Sequence, residues 1–183
     1  CNIILKGVDP RVILDLVEEH EINLFFMVPA IILFLIQQPD IRTRKLSSIR
    51  SILYGASPIS DEVLTKAQEI FQCDFIQVYG LTETTGVASS LTPADQCTVG
   101  KLLRACGKPT PGVQMQVVDD HYSPLPTGEG GEICLKGAFV MKSYWNRPEA
   151  TEEAIVDGWF HTGDAGFVDE DGYLYIHDRV KDM

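Results

Sequence analysis

Short apolar runs alternate with amphipathic stretches through the first half of the chain. Residues 3–5 read as the end of a strand, and residues 24–28, 49–54 and 75–79 as three further buried strands. Between the first two, Val12, Ile13, Leu16 and Val17 recur at helical spacing behind Asp9 as N-cap and Pro10 at the first helical position. Pro29 opens an apolar helix that runs to about Ile36. Ser60 caps another, with Val63, Leu64, Ala67, Ile70 and Phe71 on one face and Asp61 and Glu62 in the first turn, where the helix dipole favours them. Strands alternating with helices predict parallel strands covered on both faces.

From about Gly100 the helical period disappears. Residues 113–118, 133–136, 165–168 and 173–176 read as strands. Turn residues separate them: Asp119 and Asp120; Pro126, Thr127 and Gly128; and Asp169 to Gly172. One short helix is expected after Pro148. The expected fold class is therefore α/β. A partial αβα layered subdomain with a mostly parallel sheet covers residues 1–97, and a small antiparallel β-barrel-like subdomain covers residues 98–183. The change of character falls at residues 95–108.

Composition narrows the function classes. The 183 residues carry 15 Lys+Arg against 26 Asp+Glu, a net charge of −11. That balance argues against nucleic acid as a partner, because phosphate backbones are held by clustered cations. It leaves room for a small anionic ligand held by backbone N–H groups and a metal. The five cysteines, Cys1, Cys73, Cys97, Cys106 and Cys134, are odd in number and form no CxxC pair, so reduced thiols in a cytoplasmic protein are expected. The longest apolar stretch, residues 24–36, contains Pro29 and is too short for a membrane span. No signal peptide is visible. The start at Cys1 and the stop at Met183 both read as cuts within a longer protein.

Three loops offer chemistry. Tyr79, Gly80, Leu81, Thr82, Glu83, Thr84, Thr85 and Gly86 follow a predicted strand, at the end where open α/β sheets place ligands. Their N–H groups and hydroxyls suit a phosphate, and Glu83 suits Mg²⁺, a hard ion that takes oxygen ligands. An ordinary polar βα loop has the same composition. Gly55, Ala56, Ser57 and Pro58 also follow a strand, and small residues there let a flat ring approach the backbone. The segment is no nucleophile elbow, since Ile59 stands where glycine is needed. Trp159, Phe160, His161, Thr162, Gly163 and Asp164 lie ahead of a strand: either a hairpin turn, or a carboxylate placed for a sugar diol. His161 and His177 read as structural. The closing run from Asp178 and Arg179 through Lys181 is either a solvated linker or a contact to ribose or phosphate.

Taken in their order along the chain, the segments resemble the adenylate-forming superfamily of acyl-CoA synthetases, aryl-CoA ligases, peptide-synthetase adenylation domains and beetle luciferases. Gly131, Glu132 and Ile133 with Gly137 and Tyr144 complete the pattern, whose flavour is that of a medium- or long-chain fatty-acyl-CoA ligase. The resemblance implies activation of a carboxylic acid by ATP and Mg²⁺ to an acyl-adenylate, then transfer to coenzyme A. It implies that Gly55, Ala56, Ser57, Pro58 and Tyr79 sandwich adenine, with Gln77, Gly80 and Leu81 nearby. Thr82 would contact the α-phosphate, Glu83 ligate Mg²⁺, Asp164 take the ribose hydroxyls, Ile176 pack beside the nucleotide and Arg179 contact the ribose. Lys181 matches the hinge about which a C-terminal domain turns. Val78 would narrow the acyl pocket, favouring aliphatic acids. A glycine-rich phosphate loop is expected upstream of Cys1 and a C-terminal domain after Met183, so the chain by itself is expected to lack full activity. Two other readings stand beside this one: a non-catalytic nucleotide- or adenylate-binding piece, and part of a peptide-synthetase adenylation domain. A homodimer is compatible with the family.

Overall fold

The computed structural model describes residues 2–96 and 104–180. Two compact units divide between Ile76 and Gln77. Residues 97–103, the middle of the span 95–108 where the change of character is expected, lie outside the described residues.

The first unit follows the predicted βα alternation. Helix α1 (Pro10–His20) starts where Asp9 Oδ1 accepts from Arg11 N at 2.9 Å and ends at Glu21 in the left-handed region, φ 48°. Strand β1 (Leu24–Met27) runs parallel to β2 (Ser51–Gly55), Leu24 beside Ser51 and Met27 beside Tyr54. Helix α2 (Pro29–Ile36) carries buried Ile32, Leu35 and Ile36. Helix α3 (Asp61–Phe71) buries Leu64, Ala67 and Phe71, and Ser60 Oγ caps it by accepting from Val63 N at 3.3 Å. Burial of such side chains contributes roughly 1.5–3 kcal/mol each and holds the layer together. Residues 3–5 form no strand. Ile4 is 91% exposed, and an extended segment becomes a strand only where a neighbour takes its backbone hydrogen bonds.

Strand β3 (Asp74–Tyr79) leads from the first unit into the second, where its last three residues pair antiparallel with β4 (Ser89–Leu91). Helix α4 (Pro93–Gln96) follows, and β5 (Lys108–Pro109) pairs with β4. The predicted antiparallel sheet is present: β6 (Gln114–Val118), β7 (Gly131–Lys136), β9 (Trp159–Val168) and β10 (Leu174–Arg179) lie in the order β6-β7-β9-β10. Helix α5 (Pro148–Ala154) precedes the short β8 (Ile155–Val156), which pairs with β9. Ala88, Ile133, Leu135 and Leu174 form a buried cluster in this unit, and Tyr79, Cys106 and Ile176 pack against it.

Residues 159–164 are not a turn ahead of a strand, which is how half of the local pattern reads. They are the first part of β9, and the turn lies at Asp157 and Gly158, both at positive φ.

Candidate active site

The residues of interest in the first unit are Gly55, Ala56, Ser57 and Pro58, directly after β2. Gly55 is buried and the other three are exposed. Ala56 sits at φ 70°, which a residue with a Cβ adopts at some cost, and such strain concentrates at functional turns.

The second unit holds the others. Asp164 lies in a bulge of β9. Glu132 faces Ala165 while Cys134 faces His161, so β9 spends two extra residues opposite Ile133. Bulges re-aim side chains next to sites. Gly163, at φ 71°, supplies the backbone conformation the bulge needs. Strand β7 pins it at both ends. Glu132 Oε1 accepts from Gly163 N at 2.9 Å, and Thr162 Oγ1 donates to Ile133 O at 2.8 Å while accepting from Asp164 N at 3.1 Å. A second irregularity, in β10 between Ile176 and Asp178, sets Arg179 opposite Asp164.

Asp164 is buried, 8% exposed, and has a phenol and a guanidinium beside it. Tyr79 Oη donates to its Oδ2 at 2.7 Å, and Arg179 Nε lies 3.5 Å from its Oδ1. Burial and the Asp164 carboxylate push the Tyr79 phenol well above its ordinary value, so it stays protonated and donates at neutral pH. Gln77 Nε2 lies 3.8 Å from Cys106 Sγ. Sequence proximity had not hinted at the Tyr79–Asp164 bond, whose partners stand 85 positions apart.

The loop after β3 is a tight 3-10 turn over Thr82–Thr84. Thr84 is buried and its hydroxyl serves the loop itself, accepting from Leu81 N and donating to Leu81 O, each at 2.9 Å. Thr85 Oγ1 donates to Phe139 O. Thr82 is exposed, and while its carbonyl accepts from Thr85 N at 3.1 Å, its side-chain hydroxyl has no hydrogen-bond partner among the described residues, which makes it the one of the three hydroxyls available to a ligand. Glu83 is half-buried. Its Oε1 accepts from Tyr144 Oη at 2.7 Å. A carboxylate and a hydroxyl on adjacent residues are hard oxygen donors, and that set fits Mg²⁺, which takes one or two carboxylates and fills its remaining positions with water and phosphate oxygens. Lys181 lies outside the described residues.

Tertiary pairing also brings Glu132, Cys134 and His161 within 4.8 Å, although no spacing along the chain suggests a metal cluster. Their groups already serve one another: His161 Nδ1 lies 2.7 Å from Glu132 Oε2, and Cys134 Sγ 3.5 Å from the same nitrogen. The buried Cys134 thiol is pushed up to about 12, mainly by desolvation. The trio reads as the brace of the Asp164 bulge.

The family described as AMP-binding enzyme matches residues 1–145. A fatty acid–[acyl-carrier-protein] ligase of Streptomyces coeruleorubidus, ScoC, is 41% identical over 97% of the chain, which covers 34% of that protein. The medium/long-chain-fatty-acid–CoA ligase FadD8 of Mycobacterium tuberculosis is 40% identical over 99% of the chain and 31% of its own length. The structure of the amide bond synthetase McbA from Marinactinospora thermotolerans superposes with a TM-score of 0.89 at 33% identity, over 97% of the chain and 36% of McbA. The chain thus spans about a third of the length of the relatives it matches.

Proposed function

Because the chain belongs to the AMP-binding enzyme family, we propose that it carries the ribose- and metal-binding side of a site that activates a carboxylic acid with ATP. The observation that carries this reading is Asp164, a buried carboxylate held by Tyr79 in a braced strand bulge. A diol is well matched by such a group, since it accepts two hydrogen bonds from neighbouring hydroxyls.

In the proposed reaction a carboxylate oxygen attacks the α-phosphorus of ATP. The bond to the bridging α–β oxygen breaks, and pyrophosphate leaves with the electron pair. The thiol of coenzyme A then attacks the acyl carbon, AMP leaves and the thiol proton is released. Gly55, Ala56, Ser57, Pro58 and Tyr79 are read as the adenine-facing residues, with Gln77, Gly80, Leu81 and Ile176 beside them. Asp164 and Arg179 serve the ribose and Thr82 the α-phosphate. Glu83, with Thr82 nearby, would hold Mg²⁺, whose charge offsets the negative charge on the phosphate oxygens. These residues orient the nucleotide; proximity and charge stabilisation are what they contribute to rate.

The acid is read as fatty, on the strength of two relatives named for fatty acids. Transfer to a carrier protein rather than to coenzyme A is the second reading, which ScoC favours by its name. The described cysteines Cys73, Cys106 and Cys134 are free thiols, in keeping with a reducing cytoplasmic setting. No helix among the described residues is long and apolar enough to cross a membrane.

The test is acid-dependent pyrophosphate release by the full-length protein across a panel of aliphatic and aromatic acids, followed by product identification with coenzyme A or a carrier protein as acceptor. Release with medium- or long-chain acids is expected, and a protein that releases no pyrophosphate with any acid would overturn the reading. Val78, buried in β3, supplies a finer test. Val78→Gly is expected to admit bulkier acids, and an unchanged acid profile would remove Val78 from the pocket.

A further inference from the structure

We propose that Tyr144 is a positioning residue for Glu83: its phenol holds one carboxylate oxygen so that the other is presented to a divalent cation. This rests on the reading of Glu83 as a metal ligand.

The geometry is specific. Tyr144 Oη donates to Glu83 Oε1 at 2.7 Å, whereas Glu83 Oε2 has no hydrogen-bond partner among the described residues. Two further bonds tie the same two segments together: Met141 N donates to Glu83 O at 2.7 Å, and Thr85 Oγ1 donates to Phe139 O. The segment that carries Tyr144 is itself anchored. Tyr144 N donates to Thr151 Oγ1 at 3.0 Å, and that hydroxyl donates to Arg147 O at 2.7 Å, at the start of α5. The phenol therefore approaches Glu83 from a fixed backbone, and both the main chain and the side chain of Glu83 are held.

The chemistry of the donor matters. A lysine or arginine at this place would orient the carboxylate but cancel its charge, and so compete with the cation. A phenol orients it and leaves the charge intact. A phenol is ordinarily protonated at neutral pH, so it serves as a donor there. Partners that orient a metal's ligands in this way are worth 10–100-fold in metal affinity or activity.

The experiment uses the full-length protein with α,β-methylene-ATP, which cannot be cleaved between its α- and β-phosphorus atoms, and Mn²⁺ as the probe. Water-proton relaxation reports the ternary complex. Tyr144→Phe deletes the hydroxyl and keeps the ring. It is expected to raise the Mn²⁺ concentration for half-maximal ternary complex about 10-fold, with metal-free affinity for the analogue held within about twofold. Thr151→Val, which frees the Tyr144 backbone without touching the phenol or Glu83, is expected to shift the curve in the same direction by less. It carries the test should Tyr144→Phe fail to fold. Glu83→Gln separates the two levels of the argument. If Glu83→Gln titrates like the wild type, Glu83 is no metal ligand and both readings fall. If Glu83→Gln weakens Mn²⁺ binding while the Tyr144 and Thr151 variants that fold match the wild type, the role of Tyr144 alone is overturned.

Discussion

Replacing Asp164 with alanine is expected to weaken ATP binding by the full-length protein between about 10- and 100-fold, while the affinity for the acid stays within about twofold. Hydrogen bonds to a charged group contribute roughly 1.5–3 kcal/mol, and each 1.4 kcal/mol is a factor of ten. Two losses combine. The ribose hydroxyls lose their acceptor, and the half-buried Tyr79 phenol, 2.7 Å from Asp164 Oδ2, loses its own. Asp164→Asn separates them, because an amide oxygen can still accept from Tyr79 but carries no charge toward the diol or Arg179. It is expected to fall between the wild type and Asp164→Ala. Titration calorimetry with ATP and, separately, with the acid checks this. Equal weakening of both ligands would contradict the ribose role.

Gly80→Ala is expected to produce the largest stability loss of any single methyl added to the site, about 3 kcal/mol or more. A Cβ at Gly80 would lie 1.6 Å from Gly86 O and 2.7 Å from Gly86 C, and backbone atoms cannot rotate away as a flexible side chain does. The loop would have to open. That would break the bond from Ala88 N to Tyr79 O, now 2.8 Å, and disturb the turn that presents Thr82 and Glu83. Gly86→Ala is the control within the same loop. Its φ of 119° is unfavourable for alanine, but nothing lies within 4 Å of the added carbon, so a cost of about 1–2 kcal/mol is expected. Urea denaturation of the two variants beside the wild type measures both. Similar midpoints for the two would show that steric closure of the loop does not matter.

Much of the first unit was legible locally. Asp9 before Pro10 and Ser60 before Asp61 mark helix starts because a side-chain oxygen satisfies N–H groups that no turn of helix can reach, and both caps are present. The apolar runs of β1, β2 and β3 lie where period and length place them. Residues 3–5 have the same apolar composition yet form no strand, since pairing is decided by a neighbour and not by the segment. The β-rich half was legible as strands and turns. Its bulges were not, because a bulge exists only relative to the strand opposite. Gly163 inside an otherwise β-forming run was the available hint.

For the site, the order of motifs along the chain determined which residue types are present and the family they resemble. Tertiary structure decided which of those groups are committed elsewhere. Thr82, Thr84 and Thr85 are equivalent hydroxyls in sequence, yet Thr84 is spent inside its own turn and Thr85 on Phe139. Tyr144, 61 positions from Glu83, and Tyr79, 85 from Asp164, meet their carboxylates through strand pairing and loop closure. Periodicity and capping act over a few residues, so the sequence by itself determined elements and donor chemistry. Hydrogen-bond partnership depends on distances that only the folded backbone sets, and it decided which oxygen atoms remain for a ligand.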